Sequence, residues 1–284
     1  MYPRSFDYIA PASLEDAVRE LGNAEFAKVM AGGMSLIPLM KLRLLSPDLV
    51  VDIGRIGGLG EIEDTGDHLS IGALVRHRDT ASSDVVPTAL RQAASWTGDV
   101  QVRNRGTTCG AVAHADVAAD QPAAVLALGA TMVARGPSGI REIPSDEFFV
   151  DALTSALAPD EILTEIRIPK RGGGSAYDKL GRRGGHTDYA VAGAAAWVTV
   201  SDGAVTDARV ALTGVGTKPE LARAAMEAIV GTDGSEGAVR AASERATEGI
   251  TVIEDLYGSV EYKTHLAKVM VRRALTQALT EARS

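Results

Sequence analysis

Two short stretches of this chain crowd small residues together in a way that leaves the backbone bare. The first, Ala31-Gly32-Gly33-Met34-Ser35-Leu36, follows the apolar run 27–30. A strand-end turn with paired glycines presents uncovered N–H groups that form an anion-binding concavity, and the Ser35 hydroxyl adds a donor. A plain structural turn explains the same residues. The second stretch, RNRGTTCGAVAHADVAAD, runs from Arg103 to Asp120. Thr107, Thr108 and Gly110 supply small, donor-rich backbone. Asp120 is an acceptor for a ribose hydroxyl or a polar ring. The segment 100–122 reads as a long polar loop, and such a loop inside a compact domain points to function. Neither stretch is the GxGxxG or GxxxxGK[ST] of the common nucleotide sites.

Other segments are weaker. GVGTKP at 214–219 suits a phosphate turn, or a βα connection whose Pro219 starts the next helix. In YDKLGRRGGHTDYAVAG, at 177–193, Lys179, Arg182 and Arg183 cluster with Asp188 and Tyr189. That stretch is either a solvated loop or a mobile one placing Tyr189 against a flat cofactor. His114 and Asp116 are too few for a metal site. There is no GxSxG elbow, the histidines lack an evident Ser or Cys partner, and Cys109 is reactive only beside a positive group such as Arg105. No catalytic side chain is expected.

These residues must be positioned by three units. Ser13-Leu14-Glu15-Asp16 starts an amphipathic helix with a capping box, and LVVDI at 49–53 reads as a buried strand. Residues 1–55 therefore form a βαβ-type unit with the glycine turn at a strand's end. A second unit, 56–170, carries strands at IGGLGEIED, HLSIGAL, ATMVARG and EILTEIRIP, and helices at 87–96 and after Pro122. It ends at the break Pro169-Lys170-Arg171-Gly172-Gly173-Gly174. The third, 171–284, has two strands near 189–200 and 205–212 and helices near 219–230, 235–248 and 261–281, an α+β arrangement with segregated elements.

Composition narrows the partners. A net charge of -8 argues against nucleic acid or anionic membrane. The basic residues fall in short clusters (Lys41/Arg43, Arg76/Arg78, Arg103/Arg105, Arg182/Arg183, Arg272/Arg273), mostly solvated surface, of which a minority can meet phosphates. A single cysteine rules out an intrachain disulfide and an all-protein iron–sulfur or Cys-rich zinc site. The beginning MYPRSFDYIA has no apolar core of signal-peptide length, and YAVAGAAAWVTV is too short to span a bilayer. These features lead to the expectation of a cytoplasmic protein with no membrane insertion.

Taken together, AGGMSLIPLMKLRL, IGAL, RNRGTTCGAVAHADVAADQPA, EILTEIRIP, the YDKL and DYA segments and LTGVGTKP resemble the FAD-binding medium subunit of the molybdenum hydroxylases, the carbon monoxide dehydrogenase and xanthine dehydrogenase group. The likeness runs from about residue 2 to 280. It implies an α+β chain with a PCMH-type FAD-binding fold, two α/β subdomains plus a C-terminal α+β domain. It implies FAD here, with molybdopterin and [2Fe–2S] clusters only on partner subunits. Two motifs would cradle the FAD diphosphate: Ala31, Gly32, Gly33, Met34, Ser35 and Leu36, then Thr107, Thr108, Cys109, Gly110 and Ala111. Asp120 matches the acidic residue that binds the flavin's sugar-side hydroxyls, Leu163 and Lys179 positions near the isoalloxazine, and Tyr189 a ring that covers it. No metal ligand is implied.

One departure stands out. Where the family usually has Gly-Gly-Asn, this chain has Cys109-Gly110-Ala111, and Val117 stands where proline is usual. If the first position needs φ > 0, the cysteine brings strain of ~1–3 kcal/mol and a weaker or re-aimed flavin. The implied function is an FAD-bearing electron-transfer subunit of a heterotrimer, with a large molybdopterin subunit and a small iron–sulfur subunit as partners. Electrons would pass from the partner's clusters to FAD and on to an external acceptor. Two other readings stay open: a stand-alone FAD-dependent oxidoreductase, and a flavin-free scaffold subunit.

Overall fold

A computed structural model describes residues 2–184 and 187–284; Gly185 and His186, in the stretch 177–193, lie outside the described residues. The chain begins with strand β1 (Asp7–Ile9), helix α1 (Leu14–Asn23), strand β2 (Ala27–Met30), helix α2 (Leu36–Lys41) and strand β3 (Leu49–Asp52). Ser13 caps α1 by accepting from the Asp16 amide, and Ala17, Val18 and Leu21 turn one face of the helix inward. The three strands form a parallel sheet in the order β1-β3-β2. Parallel pairing sends the chain across the sheet between strands. The turn after β2 is therefore free to face outward at the sheet's C-terminal end, where open α/β sheets hold their ligands.

Next come β4 (Ile62–Asp64) and β5 (His68–Gly72), then five helices: α3 (His77–Ser82), α4 (Thr88–Ser95), α5 (Val100–Arg105), α6 (Thr108–His114) and α7 (Asp120–Ala127). After them follow β6 (Thr131–Gly136), β7 (Gly139–Pro144), α8 (Ser145–Phe148), β8 (Phe149–Asp151), β9 (Thr154–Ser155) and β10 (Ile162–Pro169). The order β4-β5-β10-β6-β7 is an antiparallel sheet. The expected polar loop over 100–122 is thus a run of short helices. Asp99 starts α5 by accepting from the Val102 amide, and Thr107 starts α6 by accepting from the Gly110 amide.

The last part holds β11 (Gly174–Gly181), β12 (Ala190–Ser201), β13 (Ala204–Thr213) and β14 (Glu220–Leu221), an antiparallel sheet in that order. Helices α9 (Arg223–Ile229), α10 (Glu236–Glu244) and α11 (Val260–Ala282) follow. Pro219 does not start a helix; a short strand intervenes. Strand alternation gives this sheet two different neighbours. Ala194, Ala196 and Val198 join a core with Ala267, Met270 and Ala274 of α11, while Ala195 and Trp197 join the larger core with Ala123 and Leu126 of α7. The third sheet is therefore covered on both faces, with β11 against α4 and β12 and β13 against α7.

Candidate functional site

The first motif begins where β2 ends. Gly33 has φ +72°, the left-handed region that glycine enters without a Cβ penalty, and the chain then turns into α2. Ser35 precedes α2 but its side chain makes no capping bond. The amides of Gly32, Gly33, Met34 and Ser35 have no acceptor among the described residues. The fold has left a row of N–H donors unused at a partly open surface.

The second motif is built differently. Thr107 is buried and its hydroxyl accepts from Gly110 N at 3.1 Å. The Thr108 amide donates to Val75 O at 3.0 Å, and its hydroxyl shares a 2.7 Å bond with Thr80. Cys109 lies inside α6 with helical backbone and no positive φ, so the strain expected at this position does not arise. Its Sγ is buried against the carbonyls of Ile71 and Gly72, and burial pushes the thiol up, which removes it as a nucleophile. Gly110 is small because a Cβ there would stand 2.6 Å from its own capping oxygen on Thr107.

The two motifs touch. A Cβ on Gly32 would overlap the Arg105 carbonyl oxygen outright and stand 2.8 Å from the Gly106 Cα. Gly32 is therefore the point where the first turn meets the chain leading into α6. Tyr189 closes the third side. Its hydroxyl is held above the ordinary phenol range, chiefly by enclosure and then by Asp116, while Arg182 and the neighbouring Ser35 side chain pull it down. The Arg182 guanidinium lies 5.1 Å from the Tyr189 ring centre and 4.4 Å from that of Tyr257. Ser35, Gly32, Thr107 and Tyr189 thus line one neighbourhood, although the sequence separates them widely.

Three expected residues stand elsewhere. Asp120 is buried, and its carboxylate accepts from Tyr177 Oη at 2.5 Å, from Lys179 Nζ at 2.8 Å and from Thr97 Oγ1 at 3.3 Å. Burial pushes that carboxyl up, and Lys179, Tyr177 and Thr97 pull it back. Lys179 has no solvent-exposed side chain. The pair lies beneath the surface of the ligand-free chain. Leu163 is buried in β10 opposite Ala134 within the main core.

A cleft of ≈ 160 Å³ opens beside the first motif, lined by Ala31, Asp52, Arg55, Arg76, Arg105 and Thr107. Arg76 is held by a 2.7 Å bond from Nη1 to the Arg105 carbonyl. The short basic clusters hold Arg76 and Arg105, whereas Arg55 stands alone in sequence and gave no signal. Unused amides beside guanidinium groups suit a multiply charged phosphate ester. A Cβ at Gly33 would force the left-handed turn to change, so the cradle depends on that glycine. Among the described residues there is no cluster of metal-ligating side chains, and no helix is long and apolar enough to cross a membrane.

Comparison with known proteins gives matches over nearly the whole chain. Residues 4–171 match the model of the FAD binding domain in molybdopterin dehydrogenase, and 175–278 that of the CO dehydrogenase flavoprotein C-terminal domain. The chain is 39% identical over 284 residues to the carbon monoxide dehydrogenase medium chain of Hydrogenophaga pseudoflava, covering 98% of each. It is 37% identical to the 6-hydroxypseudooxynicotine dehydrogenase complex subunit alpha of Paenarthrobacter nicotinovorans, covering 100% of this chain and 97% of the relative. Among solved structures, a chain of Hydrogenophaga pseudoflava carbon monoxide dehydrogenase lacking the Mo-pyranopterin moiety superposes with a TM-score of 0.93 at 41% identity, with 99% of both chains covered. A chain of quinoline 2-oxidoreductase from Pseudomonas putida 86 superposes equally well, at 0.93 and 33% identity, with 100% of both covered.

Proposed function

Because this chain belongs to the family of FAD-binding medium subunits of molybdenum hydroxylases, we propose that it is the electron-transfer subunit of a heterotrimeric enzyme of that kind. It would receive electrons from the [2Fe–2S] clusters of a small partner subunit and release them to an external acceptor. A large molybdopterin subunit would oxidise the organic substrate. FAD, when bound, supplies a carrier that accepts and releases electrons.

The observation that carries this reading is the row of unused amides from Gly32 to Ser35 at the point where the two motifs meet. These donors, with Ala31 and Leu36 flanking them, would take the diphosphate. Thr107 and the start of α6 form the facing wall. Arg55, Arg76 and Arg105 offset the charge from the cleft side, and Tyr189 orients a flat ring system. Among the described residues, the Cys109 thiol is buried and raised and His77 is enclosed, so neither is set to act as acid or base on a substrate. The work of the chain is binding, orientation and exclusion of water. The lone cysteine supports placing the clusters on a partner, since cluster ligation needs several thiolates.

The test is purification of the tagged chain from its native host. The expected outcome is co-purification with a molybdenum-containing large subunit and a two-cluster small subunit, with flavin bands in the visible spectrum. A flavin-bearing chain that arrives alone would favour a stand-alone oxidoreductase, and a colourless chain a scaffold.

A further inference from the structure

In the segment that leads from α10 into α11, the turn 255–258 carries a leucine almost wholly in solvent. Leu256 is 97% exposed, and Tyr257, Val260 and Tyr262 are exposed beside it. Four of the seven residues from 256 to 262 are thus large, apolar and open. Single apolar side chains on a surface need no reason, but a group of them marks a contact.

The turn is held firmly from below. Asp255 and Gly258 exchange backbone bonds at 3.2 and 3.4 Å, and the Asp255 carboxylate accepts from the Tyr257 amide at 2.8 Å. Beneath them the buried Lys263 ammonium donates to Asp255 Oδ2 at 2.8 Å and to the Gly214 carbonyl at 3.0 Å. The Gly214 amide is fixed in turn on Val117 O, and Ser259 caps α11 by accepting from the Tyr262 amide. A cation removed from water is costly to disturb once its acceptors are set, so the tip keeps one shape before anything meets it. Docking on a tip of this kind loses little conformational entropy.

We propose that the Leu256 turn is the anchor by which this chain docks the small iron–sulfur subunit, the leucine entering an apolar pocket of that partner. The inference rests on the function proposed above. Two observations select this occupant. The Arg182 guanidinium lies 4.4 Å from the Tyr257 ring centre and 5.1 Å from that of Tyr189. A body seated on Leu256 therefore stands next to the ring at the edge of the site. Electron transfer weakens steeply with distance, so the subunit that belongs there is the one carrying the clusters. Charge argues against a second copy of this chain. Glu254 and Glu261 flank the tip, exposed and without an ion pair among the described residues, and a two-fold contact would set these acids against themselves. The pocket on the partner carries a rim of lysine or arginine instead.

The test places Leu256→Cys in the full chain, whose other thiol, Cys109, is buried. Maleimide alkylation at position 256 is expected to be at least about tenfold slower in the assembled complex than in the isolated chain, and as slow with the small subunit alone. Equal rates, or protection given only by the large subunit, would overturn the inference. Protection in the isolated chain that grows with its concentration would overturn it too, in favour of a second copy. If Leu256→Cys itself blocks assembly while flavin content and melting temperature stay at the wild-type values, the side chain carries the contact. Leu256→Ala should speed the loss of the small subunit about tenfold and Leu256→Asp at least about a hundredfold, with flavin per chain unchanged. An unchanged rate with Leu256→Asp refutes the anchor. Glu254→Lys with Glu261→Lys should slow association and flatten its dependence on salt. A chain that finds no partner fails the proposed function and this inference with it, whereas a complete complex with an open thiol at 256 fails this inference alone.

Discussion

The turn at Gly32–Ser35 and the turn at Thr107–Ala111 look alike as strings of small residues, yet they are small for different reasons. In the first, Gly33 supplies a left-handed backbone and the amides around it stay unused. In the second, the backbone is ordinary helix and most donors are spent inside the fold: Thr107 caps Gly110, and Thr108 ties to Val75. On the proposed function, the first turn receives the ligand and the second is a wall against which the first is set. Small residues alone therefore do not distinguish a cradle from a joint.

The difference can be attacked from either side, beginning where the two turns meet. Gly32→Ala should have the largest effect, lowering stability by about 3 kcal/mol and abolishing FAD retention, because its Cβ overlaps backbone that cannot yield cheaply; denaturant unfolding and flavin content measure both. Comparable in size is a pH effect seated under the second turn only. Burial, aided by the Arg103 cation, holds the His77 imidazole down to about 4, against an ordinary value of 6.5. The unfolded chain therefore takes up this proton first. Stability should fall by about 3 kcal/mol as pH drops from about 6.5 to about 4, then level off. His77→Gln should remove that component from the melting curve against pH, and an unchanged slope would refute it.

Gly33→Val comes next, at about 2 kcal/mol, since a β-branched residue is poorly suited to φ +72°. Its FAD loss should exceed that of Gly33→Asn, because asparagine tolerates the left-handed region better. A similar loss of about 2 kcal/mol is expected at Cys109→Gly, from a glycine in the first turn of α6 and the buried side chain removed, with no tighter FAD. Tighter FAD would mean that the second turn is strained after all.

What the sequence revealed follows the range of the interactions involved. The strands at 49–53, 130–136 and 161–169 were legible because their apolar runs are local, and so was the helix capped by Ser13. The helices α5 and α6 were not, since Asp99 and Thr107 are as much loop residues as caps until the chain after them is seen to coil. Gly32 carried a glycine signal, but its reason sits at Arg105. Asp120 and Lys179 were marked as site residues, and the structure joins them to each other rather than to open space. Their burial depends on β11 lying against α4 and α7 against β12 and β13, contacts no nearby residue encodes. Arg55 has no basic neighbour and so offered nothing to read.

The central claim is that the first turn holds a diphosphate. Its most direct test compares FAD with FMN, which lacks the second phosphate and the adenosine, in titrations of the flavin-stripped protein purified with its partners. Charge-assisted bonds from the Gly32–Ser35 amides predict that FAD binds at least about a hundredfold more tightly, and that Gly33→Val removes most of that advantage. Equal affinity for the two flavins, or an advantage untouched by Gly33→Val, would contradict the account.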